Sequence, residues 1–233
     1  MNSKFLSIPV TIAVLIGMVL IFEFLPIDSF MQSWLYDDKT QTWIVNRNNS
    51  ILDLLFYSGI KTVFISAILF LLFSMIFLRR IAWVKNNFKA LMIVVLSSFI
   101  VPLTVGLLKD VTNMPCPNQL VEYGGPYEQT GLFESLGEQQ QRPTTKCYPA
   151  GHASGGFSLL ALLFLVAAGR ARKITLTLVM ILGWSTAGYK MAIGDHFLGH
   201  GAVTLVLAWL IILIIRAGIE KIEARFFNKN IHR

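Results

Sequence analysis

The sequence predicts an all-α, polytopic membrane protein that forms a single domain over residues 1–233. Hydrophobic residues make up 55% of the chain and charged residues only 14%, which is far more apolar than an ordinary soluble domain. A membrane-spanning helix needs about 20 mainly apolar residues. Six stretches meet or approach this length, at approximately residues 5–25, 60–78, 91–108, 155–168, 174–193 and 201–215. The fourth stretch is short, and we expect its helix to begin near Gly151.

Basic residues are concentrated in segments that six spans would place on one side of the membrane. Lys4 precedes the first span, and basic clusters follow the second, fourth and sixth spans: Arg79, Arg80, Lys85 and Lys89; Arg170, Arg172 and Lys173; Arg216, Lys221, Arg225, Lys229 and Arg233. Such segments face the cytoplasm. We therefore expect a bacterial inner membrane protein with cytoplasmic termini and periplasmic loops at residues 26–50 and 110–148. The net charge of +7 follows from this topology, so no nucleic-acid partner is expected.

Ionisable side chains gather where the later spans meet the periplasmic boundary. They are Lys109 at the end of the third span, His152 at the start of the fourth, and Lys190, Asp195, His196 and His200 around the turn between the fifth and sixth. Free backbone N–H groups after Gly151 would favour a bound anion. Lysines neutralise phosphate oxygens, one imidazole can attack phosphorus, and another can protonate the departing oxygen. This combination predicts phosphate hydrolysis with no metal and no other cofactor.

These residues resemble the motifs of the type 2 phosphatidic acid phosphatase (PAP2) family. The family motifs are K-x6-R-P, P-S-G-H and S-R-x5-H-x3-D. This sequence has Lys109-x6-Cys116-Pro117, Pro149-Ala150-Gly151-His152 and Tyr189-Lys190-x5-His196-x3-His200, with every spacing kept. The match covers about half of the chain, from the third span to the sixth. It implies a membrane enzyme of six spans with an acid-phosphatase-like helical core.

The resemblance also implies roles for individual residues. His196 would be the nucleophile that forms a phosphohistidine, and His152 would be the general acid. The phosphate oxygens would be held by Lys109, Lys190 and the backbone at Ala150 and Gly151.

Four positions depart from the family motifs. Cys116, Ala150, Lys190 and His200 stand where the family has arginine, serine, arginine and aspartate. Lysine cannot reproduce the bidentate geometry of arginine, so Arg142 and Lys146 are candidates to supply the missing charge. Either His200 or Asp195 can orient the nucleophilic imidazole, and the sequence leaves both open.

The two cysteines, Cys116 and Cys147, both belong to the long outer loop. A disulfide between them is one expectation for an oxidising compartment. Two unpaired thiols at the membrane surface are the equal alternative.

Several other functions stay open from the sequence. The spacing of His196 and His200 permits a metal-binding pair on one helix face, but no glutamate follows His196 and Gly199 interrupts the pattern. A transporter is the main non-enzymatic alternative, although its ionisable groups would lie nearer the membrane midplane. A scaffold subunit and a catalytically inactive relative are further alternatives.

The expected partners are the lipid bilayer and a lipid phosphate monoester or diphosphate in the outer leaflet. The family implies lipid A, undecaprenyl diphosphate, phosphatidylglycerol phosphate and phosphatidate as candidate substrates. The long outer loop favours the first two. The sequence does not distinguish hydrolysis from transfer of the phosphate to another lipid.

Overall fold

The computed structural model describes residues 7–137 and 145–231, most of them helical. The helices are α1 (Ile8–Phe24), α2 (Ile27–Gln32), α3 (Ser50–Asp53), α4 (Gly59–Phe77), α5 (Ala82–Asn86), α6 (Phe88–Thr112), α7 (Leu132–Gly137), α8 (Gly151–Ser158), α9 (Arg170–Ala192) and α10 (Leu198–Ile231). A π turn at Leu54–Ser58 joins α3 to α4, and a 3-10 segment at Leu159–Phe164 continues α8. Two further 3-10 turns cover Pro117–Gln119 and Val121–Tyr123. Strands β1 (Tyr36–Asp37) and β2 (Thr42–Trp43) form an antiparallel hairpin.

All six apolar stretches of the sequence fall largely within helices. The fourth begins at Gly151, as the sequence predicted. Within the described ranges, three stretches are long and apolar enough to cross a membrane, namely Ser50–Phe77, Phe88–Gln119 and Leu198–Arg225. Together they indicate a membrane protein. Ile8–Phe24 and Gly151–Phe164 are apolar but shorter, so the count of six spans stays a prediction.

The core surrounds α8, which packs against α6, α9 and α10. Phe157 is completely buried there. A Cβ on Gly156 would lie 2.8 Å from the Cα of Gly183, and a Cβ on Gly183 would lie 2.3 Å from the Phe157 ring. Small residues therefore let α8 and α9 approach closely, as is common between membrane helices.

The described residues between α6 and α8, at 113–137 and 145–150, contain short helical elements. They include two 3-10 turns and α7, where the sequence predicted only a long loop. Glu23, near the end of α1, accepts hydrogen bonds from the backbone N–H groups of Leu132 (2.9 Å) and Phe133 (3.2 Å). These first-turn N–H groups of α7 have no partner within the helix. A carboxylate from α1 therefore anchors the loop.

Asp28 of α2 likewise accepts a hydrogen bond from the first turn of a helix, in this case α10. Its carboxylate accepts a hydrogen bond of 2.7 Å from the backbone N–H of Gly199, in the first turn of α10. Burial raises the pKa of Asp28 from 3.8 to about 6, while the bond from Gly199 opposes that rise. The contact holds the first turn of α10 at Gly199, the residue before His200.

Asp28→Asn should change how stability depends on pH. Between about pH 4 and about pH 6 the folded wild type holds a proton that the unfolded chain has released, so this group contributes less stability as pH rises. Asparagine keeps an acceptor for the Gly199 N–H but does not titrate. We expect the Tm difference between variant and wild type, measured in detergent, to shift in favour of the variant from about pH 4 to about pH 7. Ser33→Ala is the control, and a pH-independent difference for Asp28→Asn would contradict the assignment.

Candidate active site

Three histidines meet where α6 and α9 end and α8 and α10 begin, here called the histidine end of the bundle. The ring of His196 lies between the other two. Its Nε2 atom is 3.5 Å from Nδ1 of His152, and its Nδ1 atom is 3.5 Å from Nδ1 of His200. His196 and His200 are each only 2% exposed. The structure therefore brings together the three imidazoles that the sequence singled out.

The turn between α9 and α10 places His196. The backbone N–H groups of Asp195 and His196 both donate to the carbonyl of Lys190, at 2.8 and 3.2 Å. Gly194 has a φ of 76°, which favours glycine, and a Cβ there would lie 2.3 Å from the Trp43 ring. The tight turn thus depends on Gly194 and on the close packing of Trp43 from β2 against it.

Hydrogen bonds to α10 place the start of α8, and with it His152. The backbone N–H of Ala150 donates to the hydroxyl of Thr204 (2.8 Å), which in turn donates to the carbonyl of His200 (2.7 Å). The ring of Tyr57 packs edge-on against His152, with centroids 4.7 Å apart. His152 is therefore held relative to His200 through the backbone and is flanked by an aromatic ring from the π turn.

Two lysines bring positive charge to the histidines. Lys109 lies in the last turn of α6, and its Nζ atom is 3.2 Å from where a Cβ of Gly151 would be. Lys190 is only 7% exposed, and its Nζ atom lies 4.4 Å from the centroid of the Tyr57 ring. The N-terminal N–H groups of α8 add partial positive charge beside Lys109. Such an arrangement suits a bound anion.

The two candidates for orienting His196 have different surroundings. The carboxylate of Asp195 accepts from Nζ of Lys190 (3.0 Å), from Nδ2 of Asn118 (3.1 Å) and from the guanidinium of Arg47. By contrast, His200 faces Nδ1 of His196 directly. The geometry therefore favours His200 as the orienting group and makes Asp195 the partner of Lys190.

Arg47 is a site residue that the sequence reasoning missed. Its guanidinium pairs with Asp195 and donates to the carbonyl of Ile193 (3.4 Å). Val45 in the same segment donates from its N–H to the carbonyl of Ala192 (3.4 Å). The available signal was weak: Arg47 is the only arginine in the predicted outer loop at residues 26–50. Asn118 and Tyr57 were also missed, because their partners are distant along the chain.

The remaining predicted residues lie around this cluster. Lys146 forms an ion pair with Asp110, and both side chains are more than half exposed. Arg142 lies outside the described residues. Cys116 and Cys147 form a disulfide with their Cα atoms 5.1 Å apart. It joins the segment after α6 to the segment before α8.

The surroundings of His196 favour its neutral form. Burial, reinforced by His200 and Lys109, holds the pKa of the His196 imidazole well below its usual range. A neutral imidazole has a free lone pair and is a competent nucleophile. Among the described residues, no group of three His, Cys, Asp or Glu side chains has the arrangement of a metal site, so the pair His196 and His200 gains no third ligand there.

A family model described as the PAP2 superfamily matches residues 90–223, more than half of the chain. The chain belongs to the PAP2 superfamily. The matched range contains all three clustered histidines together with Lys109 and Lys190. Membership in PAP2 implies phosphatase activity on phosphate esters. No curated protein and no solved structure matches the chain.

The PAP2 match leaves out the first part of the chain, which also contributes to the site. Arg47 and Tyr57 both precede residue 90, where the matched range begins. They contact Asp195, His152 and Lys190, all within that range. Two side chains from outside the PAP2 match therefore contact residues of the candidate site.

Arg47→Gln should lower kcat/KM by about tenfold, because Asp195 would lose one of the donors that hold it against Lys190. Asp195→Asn should have a similar effect, and the double variant should be little worse than either single variant, since both changes act on one network. Phosphate release measures the effect, and Tm checks the fold. Lys39→Gln, in the same outer segment, is the control. Additive losses would show that Arg47 does not act through Asp195.

Proposed function

We propose that this PAP2 protein hydrolyses the phosphate monoester or diphosphate of a membrane lipid through a phosphohistidine on His196, without a metal. One observation carries the proposal. A buried imidazole lies between two others, with two lysines beside them. Such a cluster can supply a nucleophile, a proton donor, an orienting group and positive charge for the phosphate.

In the first step, Nε2 of His196 attacks phosphorus, so a P–N bond forms as the P–O bond to the leaving group breaks. His152, which is protonated while the phosphate anion is bound, donates the proton of its Nδ1, which faces that atom, to the departing oxygen. His200 accepts a hydrogen bond from the Nδ1–H of His196, which keeps the lone pair on Nε2. The 3.5 Å contact between His152 and His196 must open for phosphorus to enter between their rings.

In the second step, water attacks the phosphohistidine. His152 is now neutral and takes the proton from water as the P–O bond forms. The P–N bond breaks, its electron pair returns to Nε2 of His196, and inorganic phosphate is released. Lys109 and Lys190 neutralise the phosphate oxygens in both steps.

A pocket beside His152 supports a lipid as the substrate. Its volume is about 350 Å³, and Lys109 and His152 share its lining with apolar side chains of α4, α6 and α9, among them Ile60, Phe64, Ile65, Pro102 and Leu182. A neighbouring cavity of about 400 Å³ shares Ile60, Phe64 and Leu182 and is also mainly apolar. Reacting groups next to apolar walls fit a phosphate attached to a hydrocarbon chain.

We further propose a location in the bacterial inner membrane, with the histidine end facing the periplasm. The distribution of lysine and arginine between the predicted loops supports this orientation. Lipid A and undecaprenyl diphosphate are the favoured substrates, and phosphatidylglycerol phosphate and phosphatidate are the alternatives. The convergence of three imidazoles at one end favours an enzyme over a transporter or an inactive relative.

The purified protein should release phosphate from at least one lipid of such a panel in detergent with excess EDTA. His196→Ala should lower the rate by at least about a thousandfold, because the nucleophile is lost. His152→Ala should lower it by about 100- to 10,000-fold, which is typical for loss of a general acid. His232→Ala, at the fourth histidine and outside the described residues, is the matched control.

Loss of activity in EDTA would instead support the metal interpretation of His196 and His200. Wild-type turnover by His196→Ala would exclude the phosphohistidine. No release from any lipid would favour a transporter or an inactive relative.

A further inference from the structure

Lys61 is a charged side chain in an otherwise apolar helix. It lies in the first turn of α4, within the apolar stretch Ser50–Phe77, which is long enough to cross a membrane. Its side chain is exposed, and none of the ion pairs among the described residues includes it. A lysine in such a position costs free energy unless it reaches water or an anion. Its surroundings therefore decide whether it has a function.

Lys61 faces the same pocket as the reacting groups. It lines the pocket together with Lys109 and His152. Its Nζ atom is 5.9 Å from the centroid of the Tyr57 ring, which also lies 4.4 Å from Nζ of Lys190 and 4.7 Å from the His152 ring. The π turn at Leu54–Ser58, immediately before α4, holds Tyr57 in this position. Such π turns are frequent at functional sites.

The position of His152 shows which part of a substrate would meet Lys61. In the proposed reaction, His152 donates its proton to the leaving oxygen, so the leaving group occupies the His152 side of the site. Lys61 lines the same pocket as His152. Lys190 instead pairs with Asp195, the neighbour of His196 in the chain. Lys61 is therefore placed to contact the leaving group, and Lys190 the phosphate that is transferred.

A cation beside the leaving group benefits one class of substrate. When a monoester is cleaved, His152 protonates the leaving alkoxide, and the product alcohol is neutral. When a diphosphate is cleaved, the leaving group is a lipid monophosphate, which still carries one negative charge after protonation. An ammonium group stabilises that charge as it develops.

We propose that Lys61 binds the inner phosphate of a lipid diphosphate and so makes the site selective for diphosphates over monoesters. This rests on the function proposed above. Nε2 of His196 bonds to the outer phosphorus, and the bond from that phosphorus to the bridging oxygen breaks. The bridging oxygen keeps the electron pair and takes the proton of His152, while Lys61 pairs with the inner phosphate. The lipid chain extends along the apolar side chains of the pocket.

The test compares a polyprenyl diphosphate with the polyprenyl monophosphate of the same chain length. Lys61→Met should lower kcat/KM for the diphosphate by about 10- to 100-fold, the usual range for one hydrogen bond to a charged group. Turnover of the monophosphate should stay within about threefold, and Lys61→Arg should restore most of the lost diphosphate activity. The control is Lys85→Met. Lys85 is also exposed, but it lies in α5 and does not line this pocket.

Equal losses on both substrates, or no loss on either, would overturn the role of Lys61. A binding measurement separates this outcome from a failure of the proposed function. Methylenediphosphonate cannot be hydrolysed at its bridging carbon, and it should raise the Tm of the wild type more than that of Lys61→Met. Inorganic phosphate should raise the Tm of both proteins equally. If the wild type cleaves neither lipid, the proposed function fails, and equal responses to methylenediphosphonate would also remove the Lys61 subsite.

Discussion

The hydroxyl group of Thr204 joins the two helices on which the histidine cluster depends. It accepts a hydrogen bond from the N–H of Ala150 and donates one to the carbonyl of His200, and Thr204 is completely buried. In an apolar core, a backbone group without a partner costs free energy. Both bonds are therefore strongly favoured, and they set the start of α8 against the first turns of α10. The distance of His152 from the other two imidazoles follows from this contact.

The charges of the site are arranged around this backbone contact. Lys109 lies beside the first turn of α8, and Asp195 pairs directly with Lys190 but not with Lys109. Like charges repel more strongly where water is excluded, so the cluster is most stable when it holds an anion. The same positive charges also favour the neutral form of His196. A protonated imidazole would add another positive charge.

At three of the four positions that depart from the PAP2 motifs, the structure shows what the substituted side chain contacts. Cys116 forms a disulfide with Cys147 in place of an arginine contact with phosphate. Lys190 replaces a second arginine and is held by Asp195, which Arg47 holds in turn. His200 replaces the aspartate of the third motif and still faces Nδ1 of His196. The first part of the chain, which lies outside the PAP2 match, thus contributes groups that stabilise the altered site.

The sequence alone predicted a helical membrane protein and singled out the three histidines that the structure brings together. Long apolar stretches have few stable solutions other than helices in a bilayer, and the spacing of Lys109, His152 and His196 kept the PAP2 pattern. The sequence of residues 26–50 and 110–148 has no comparable periodicity. It therefore does not predict α7 or the β1–β2 hairpin.

Tertiary structure alone decided that His200, and not Asp195, faces His196, and that Arg47, Tyr57 and Lys61 belong near the site. These contacts join residues far apart in the chain. Local pattern carries no information about such pairs, because they depend on how the helices pack and on which side chains reach across the space between them.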